Sequence, residues 1–238
     1  MNFEIIDNCF QVCVLLACAL FTGRLAWKKT VESARLKASE DFEAADTYEK
    51  SVRVCMTVSF GCMSFMLGTL FYVLHLAVLL DITKVFYVSE VSWMAAYLFF
   101  ISVQLMREEG RKAESRTPLV IIPVLVCIVF YFLLCMDYRF IPTSRVVFLI
   151  VLIALLMAVN ILALRGIHRN RAAGRSVMPD VLFAALSVLQ ISLYISSDYI
   201  LDYTHFNLYF ALDITLTLTM VGICTALARE CRQEERRS

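Results

Sequence analysis

The chain has 238 residues, 60% of them hydrophobic and 18% charged, with a formal net charge of +1. An average soluble domain carries about 25% charged residues, and a soluble chain of this length has too little interior to hide so much apolar surface. The composition excludes an ordinary water-soluble domain, and the near-neutral charge gives no pull toward nucleic acid; a lipid bilayer is the solvent and first partner that fits.

Crossing the hydrocarbon takes about 20 mostly apolar residues as a helix. Seven stretches qualify: 9–27, 54–80, 85–106, 119–136, 146–164, 181–201 and 206–228. They are continuous, whereas barrel strands alternate. The expected fold class is all-α: an integral membrane seven-helix bundle, one transmembrane domain over residues 1–238. The first run reads as a retained helix, because Glu4 and Asp7 precede it and Arg24, Lys28 and Lys29 follow without a small-residue cleavage site.

Orientation follows from the basic residues. Segments 24–53, 107–116, 165–175 and the tail from Arg229 hold nineteen of the twenty-two; the alternate connections hold only Lys84, Arg139 and Arg145. The N-terminus is therefore expected outside and the C-terminus in the cytoplasm, across the plasma (cytoplasmic) membrane. Segment 30–50 mixes charges with good helix formers and reads as a cytoplasmic extension or surface helix. Segment 165–175 carries four arginines and no acid; it is the topology signal, with a lipid-phosphate contact as the alternative. Residues 229–238 form a charged tail continuing the seventh helix. Short outer connections at 81–84 and 202–205 make spans two and three, and six and seven, antiparallel neighbours. Leu80, Asp81 and Thr83 match Leu201, Asp202 and Thr204 at an offset of 121, which suggests a 3-1-3 internal repeat of the transporter kind.

The nine cysteines include no C-x-x-C pair, and most lie in apolar runs as small packing residues. Cys9, Cys13 and Cys135 at outer ends leave a disulfide or metal site open, without a ligand spacing to support either. Gly61, Ser64 and Gly68 recur at helical spacing, as a close helix contact requires. Asn160 and Gln190 are single amides suited to interhelical hydrogen bonds. Pro123 reads as a kink and Pro179 as a first-turn proline; Met178, Pro179 and Asp180 read only as a helix start.

Polar groups inside a span are costly and point to function. Glu90 in span three and Asp213 in span seven sit at similar depth near the outer side. Tyr87 and Trp93 flank the first, and Tyr209 the second. Asp198 lies near the outer surface after Tyr194, and His75 at the outer end of span two. Carboxylates from different helices at one depth share protons or hold a cation. The expectation is an outward pocket with Glu90 and Asp213 at its floor and Tyr87, Trp93, Tyr194 and Tyr209 offering hydroxyls and π-faces to a polar or cationic guest. Hydrogen-bonded glue between helices is the structural alternative.

Leu212, Asp213 and Thr217 resemble the seventh helix of microbial rhodopsins, where an aspartate precedes the retinal-binding lysine by four residues; Glu90 then resembles the counter-ion. The matching position here is Thr217 and no expected span contains a lysine, so a retinal Schiff base has no anchor and no cofactor is expected. Ser197 and Asp198 resemble a Ser-Asp motif of the bacterial lysoplasmalogenase-like membrane family, whose Gly-Asp partner motif is missing. No phosphate loop, zinc-protease motif or nucleophile elbow occurs.

The leading expectation is a receptor-like or sensory protein: an outward pocket binds a small polar or cationic ligand, and helix movement reaches a cytoplasmic signalling partner through the tail and first inner loop. A small-solute transporter, proton-coupled in one form, is the alternative. A lipid-acting intramembrane hydrolase built on Asp198 is the third reading.

Overall fold

The computed structural model describes residues 3–79, 87–108, 143–200 and 203–236. They form α1 (Phe3–Ala38), α2 (Phe42–Leu79), α3 (Tyr87–Glu108), α4 (Thr143–Ala172), α5 (Met178–Tyr199) and α6 (Leu208–Glu235), with no strand among the described residues. All six are long and apolar enough to cross a membrane. They correspond to the first three and last three expected spans. The expected span 119–136 lies outside the described residues, as do the Leu80–Thr83 and Leu201–Asp202 stretches on which the internal repeat rests.

Helices α1, α3, α4 and α6 begin at the end of the bundle that carries Phe3, here the N-terminal end; α2 and α5 run the other way, and α6 finishes at the C-terminal end. Neighbours in sequence pack against one another from α1 to α6, α3 meets α4, and α6 returns to α1 and α2, closing the ring.

The buried faces carry polar groups at the two ends and apolar ones between them, while the outward faces are apolar. On α1 the buried stripe is Glu4, Asp7, Asn8, Gln11, Leu15, Cys18, Ala19, Thr22, Ala26, Lys29 and Ser33, spaced by three and four as one helical face requires. Phe10, Leu20, Phe21 and Trp27 face outward, Trp27 with 71% of its surface exposed. Leu67, Leu74 and Val78 on α2, Val91 and Leu98 on α3, Val188 on α5 and Leu218 on α6 do the same. A soluble protein rarely exposes so extensive an apolar surface; lipid covers it. Many of the inward polar groups, Gln11 and Arg107 among them, find partners there, which hydrocarbon cannot supply. On α6 the buried positions Phe210, Asp213, Thr217, Met220, Cys224, Leu227 and Cys231 recur in strict three–four steps, so one stripe runs the length of that helix.

The interior between the two ends is apolar. Leu15, Val58, Phe65, Tyr97, Phe100, Leu156, Phe183, Leu186 and Met220 are buried within one cluster. Close approach of α2 and α3 depends on small residues. A Cβ on Gly61 would sit 2.8 Å from the Phe100 ring, and one on Gly68 would sit 2.8 Å from the Trp93 ring and 2.9 Å from the Ser89 carbonyl. Between them the Ser64 hydroxyl donates to the Ser92 carbonyl at 3.1 Å, so the expected small-residue seam lies against α3.

Segment 30–50 is a helical hairpin. α1 ends in a turn where the Asp41 amide donates to the Leu36 carbonyl at 3.1 Å and the Glu40 amide to Lys37 at 3.2 Å. This bonding pattern needs a left-handed residue, and Glu40 supplies it at φ 65°. Between α4 and α5 the same pattern recurs, with Arg175 donating to Asn170 at 2.8 Å and Gly174 to Arg171 at 3.2 Å, and there the left-handed residue is Gly174 at φ 62°. The left-handed conformation costs a residue bearing Cβ about 1–2 kcal/mol. Glu40→Gly is thus expected to raise stability by about 1 kcal/mol and Gly174→Ala to lower it by about as much, read as shifts in the thermal unfolding midpoint of the reconstituted protein. A methyl group at Gly174 would meet only open space, so its effect isolates backbone strain. Equal midpoints for both variants and the parent would refute this account of the two turns.

Candidate functional site

At the N-terminal end, four helices contribute to a buried polar network, α3 through Trp93. The start of α1 places Glu4, Asp7, Asn8 and Gln11 inward; α2 brings Thr69 and Tyr72; α6 brings Asp213 and Thr217. The Asn207 side chain caps α6, accepting from the amides of Tyr209 at 3.0 Å and Phe210 at 3.4 Å. That fixes where the helix starts and so where Asp213 stands.

Gln11 is the centre. Its amide nitrogen donates to Asp213 Oδ1 at 2.8 Å and to Thr217 Oγ1 at 3.0 Å. Its carbonyl oxygen accepts from the Thr69 hydroxyl at 2.7 Å, and Thr69 in turn accepts from the Trp93 indole N–H at 3.3 Å. Trp93, Thr69, Gln11 and Asp213 therefore form a chain in which every donor points toward the Asp213 carboxyl. Such chains polarise one another where the dielectric is low. Thr217 completes the centre by donating to the Asp213 backbone carbonyl at 3.0 Å.

The Asp7 and Asp213 carboxyl groups adjoin one another, and two carboxyl groups approach each other in a dry site by sharing a proton or a cation. Asp7 Oδ2 is buried and has no hydrogen-bond partner among the described residues. Beside the pair, the Tyr72 hydroxyl donates to Glu4 Oε1 at 2.6 Å, and the Asn8 side chain donates to the Glu4 carbonyl at 2.8 Å. Phe3 roofs the network edge-on against Phe206 and Phe210, with ring centroids 5.6 and 4.7 Å away.

The expected site residues divide into those brought together and those kept apart. Asp213 and Trp93 belong to one network, joined through Gln11 and Thr69. Glu90 is half-buried in the first turn of α3; the bonding partners of Asp213 come from α1 instead, because the α1 polar stripe faces α6 while α3 packs on α2 and α4. Tyr209 stacks edge-on with Tyr203 at 5.5 Å and with Phe210 at 5.3 Å. Tyr194 packs half-buried against the apolar core. His75 stacks on Phe71 at 6.1 Å, and its Nε2 is buried without a partner among the described residues. The side chains of Tyr87 and Asp198 lie outside the described residues. Gln190 makes the interhelical bond expected of it, accepting from the wholly buried Tyr97 hydroxyl at 2.7 Å.

A second polar cluster closes the C-terminal end. The Arg107 guanidinium bonds Asp180 Oδ1 at 2.5 Å and Oδ2 at 3.3 Å, and reaches Glu230 Oε2 at 3.1 Å through Nε and 2.8 Å through Nη2. Asn170 donates to Asp180 Oδ2 at 2.6 Å. The arrangement joins α3, α4, α5 and α6. It leaves room for no methyl at Gly166, where a Cβ would sit 2.5 Å from Asp180 Oδ1. Lys29 pairs with Glu235 and ties α1 to α6; its ammonium stands 5.6 Å from the Tyr48 ring centre. Arg169 pairs with Glu108 at 2.9 Å.

Sequence reasoning missed Glu4, Asp7, Gln11, Thr69 and Tyr72 at one end and Arg107, Asp180 and Glu230 at the other. Their signal is helical phase. Glu4, Asp7, Asn8 and Gln11 fall on the α1 face that continues through Leu15, Cys18 and Ala19. Among the described residues no group of three or more His, Cys, Asp and Glu side chains is placed to hold a metal ion. No protein-family model, no curated protein and no solved structure matches the chain.

Proposed function

We propose that this multi-pass membrane protein is a receptor-like sensor of a small cation, with the Asp7–Asp213 pair as its binding centre. The carrying observation is the unpartnered, buried Oδ2 of Asp7 beside the Asp213 carboxyl. Two carboxyl groups in contact take one positive charge between them, either a proton or a cation exchanged for it. Glu4, Tyr72 and Trp93 surround that centre with acceptor oxygens and aromatic faces, the environment a small ammonium group selects. The basic-residue distribution favours this end of the bundle as the outer one.

The response runs along α6. Asp213 and Glu230 lie on one helix seventeen residues apart, about 25 Å at 1.5 Å per residue. A helix moves as a rigid element, so a ligand that draws α6 toward α1 also displaces Glu230 from Arg107. The Arg107–Asp180–Glu230 cluster is then the two-state element, and the charged end of α6 is the surface a cytoplasmic partner reads.

Thermal unfolding of the protein in nanodiscs tests this. With methylammonium or choline in excess, a saturable rise in midpoint is expected, corresponding to about 2.7 kcal/mol at a hundred times Kd. Asp7→Asn and Asp213→Asn should each abolish the rise. A rise of equal size in both variants would end the proposal. Coupled transport is the second reading, favoured by the Tyr97–Gln190 pair, which extends polar groups past the network toward mid-bundle. Uptake of the same amines into proteoliposomes distinguishes it from sensing.

A further inference from the structure

The turn between α4 and α5 differs in charge from the other basic segments of the chain. Segments 24–53, 107–116 and 229–238 hold seven, four and four basic residues against six, three and three acidic ones. Segment 165–175 holds four arginines and no acid, and no acidic residue occurs between Asp137 and Asp180. Asp180 is no counter-charge for them, being 2% exposed and already bonded by Arg107 and Asn170. Arg169 is taken by Glu108. Arg165, Arg171 and Arg175 are exposed, and none of the three forms an ion pair among the described residues.

The turn is braced from below. The buried Asn170 donates to Asp180 through its side chain, and its carbonyl accepts from the Arg175 amide at 2.8 Å. The arginines are thus presented on a fixed backbone, which reduces the ordering cost of binding. The turn also stands at the edge of the hydrocarbon. Both α4 and α5 are apolar enough to span a membrane, and α5 begins three residues after Arg175. Met178 and Val181 at its start are 55% and 43% exposed, an outward apolar face that acyl chains cover. Arg165 and Arg171 lie six residues apart, about 9 Å along α4, so these cations stand within about 10 Å of the headgroups, one screening length.

We propose that this turn binds the phosphate headgroup of an anionic lipid in the leaflet at the C-terminal end of the bundle, through Arg165, Arg171 and Arg175. A guanidinium grips a phosphate through two parallel N–H bonds, and the neighbouring apolar start of α5 takes the acyl chains. Membrane orientation counts lysine and arginine whatever acids stand beside them. It therefore gives no reason for this one turn to lack acid, whereas phosphate binding does.

The test immobilises the full chain in neutral detergent and equilibrates it with radiolabelled phosphatidylglycerol or phosphatidylcholine. Saturable retention of phosphatidylglycerol over phosphatidylcholine is expected. It should weaken as salt rises from about 0.1 M to about 1 M, where the screening length falls to about 3 Å. Each cation near a charged surface is worth about fivefold in binding, so Arg165→Gln, Arg171→Gln and Arg175→Gln combined should weaken retention on the order of a hundredfold. Lys28→Gln, Arg35→Gln and Lys37→Gln combined remove three exposed cations from the segment rich in acids, and should weaken it less than about fivefold. Lysine at the three turn positions keeps the charge that orients the chain and loses the fork, so that protein should fall between the parent and the glutamine variant. Soluble glycerol phosphate at the lipid's own concentration should displace nothing, because it lacks the chains. No preference for phosphatidylglycerol in the parent, undiminished retention by the glutamine variant, an equal loss in the α1–α2 variant, or displacement by glycerol phosphate would each overturn the proposal. The parent's preference needs no variant to fold, and none of these readouts passes through Asp7 or Asp213.

Discussion

Arg107→Met is expected to destabilise the folded protein by about 3–5 kcal/mol, the cost of stranding buried charge when one member of an ion cluster is removed. Arg107 and Asp180 are 5% and 2% exposed, and among the described residues Arg107 bridges Asp180 to Glu230. With methionine in its place, Asp180 and Glu230 lose the guanidinium between them, and among the described residues Asn170 still donates to Asp180. Lysine keeps the charge but not the fork that serves two carboxylates at once, so Arg107→Lys should fall between methionine and the parent. The triple variant Arg107→Met, Asp180→Leu, Glu230→Leu should recover most of the loss, because well-packed apolar groups commonly replace a buried ion cluster without penalty. Chemical unfolding in mixed micelles ranks the four proteins. An Arg107→Met protein within about 1 kcal/mol of the parent would mean that water, not the guanidinium, serves the two carboxylates. On the sensing proposal the triple variant is also informative in the other direction: it should fold, bind cation, and no longer respond at the C-terminal end.

The six described helices are legible in the sequence because the signal for each is a run of about 20 apolar residues, which no single side chain decides. Span ends are less so. Hydropathy places the first span at 9–27, whereas α1 runs from Phe3 to Ala38, since lipid need not surround a helix for it to continue into water or into a hairpin. Gln190 and the Gly61–Ser64–Gly68 stripe are legible because a lone amide or a row of small residues in an apolar helix has few other uses. The buried acids are harder. Glu90 and Asp213 stand out for lying among apolar neighbours, yet depth along a helix says nothing about azimuth, and the partner of Asp213 is on α1. Glu4 and Asp7 precede the apolar run and have the look of a water-exposed flank. Asp180 closely follows Met178 and Pro179, so a first-turn acid favoured by the helix dipole accounts for it in full. Its ion pair with Arg107 joins positions 73 apart in sequence, and no local pattern encodes that.

Gln11→Leu should separate fold from response at the opposite end. Leucine matches glutamine in bulk and suits an apolar helix, so packing and helix propensity barely change. What disappears is the amide. Asp213 Oδ1 and Thr217 Oγ1 lose their donor, and the Thr69 hydroxyl loses its 2.7 Å acceptor and falls back on the Phe65 carbonyl at 3.3 Å. Each buried polar group left without a partner costs about 1–3 kcal/mol, and two such groups give an expected loss of about 2–6 kcal/mol, a large part of the margin of a marginally stable protein. Asp213→Asn behaves differently. The new amide oxygen still accepts from Gln11, so the network keeps its bonds and the unfolding midpoint should stay near the parent value, while the charge that draws a cation is gone. If Gln11 is scaffold and Asp213 the binding group, the first variant loses stability and keeps its cation-induced rise, and the second keeps stability and loses the rise. Identical behaviour of the two, in either respect, would mean that the polar network is helix-to-helix glue and that its carboxyl pair binds nothing.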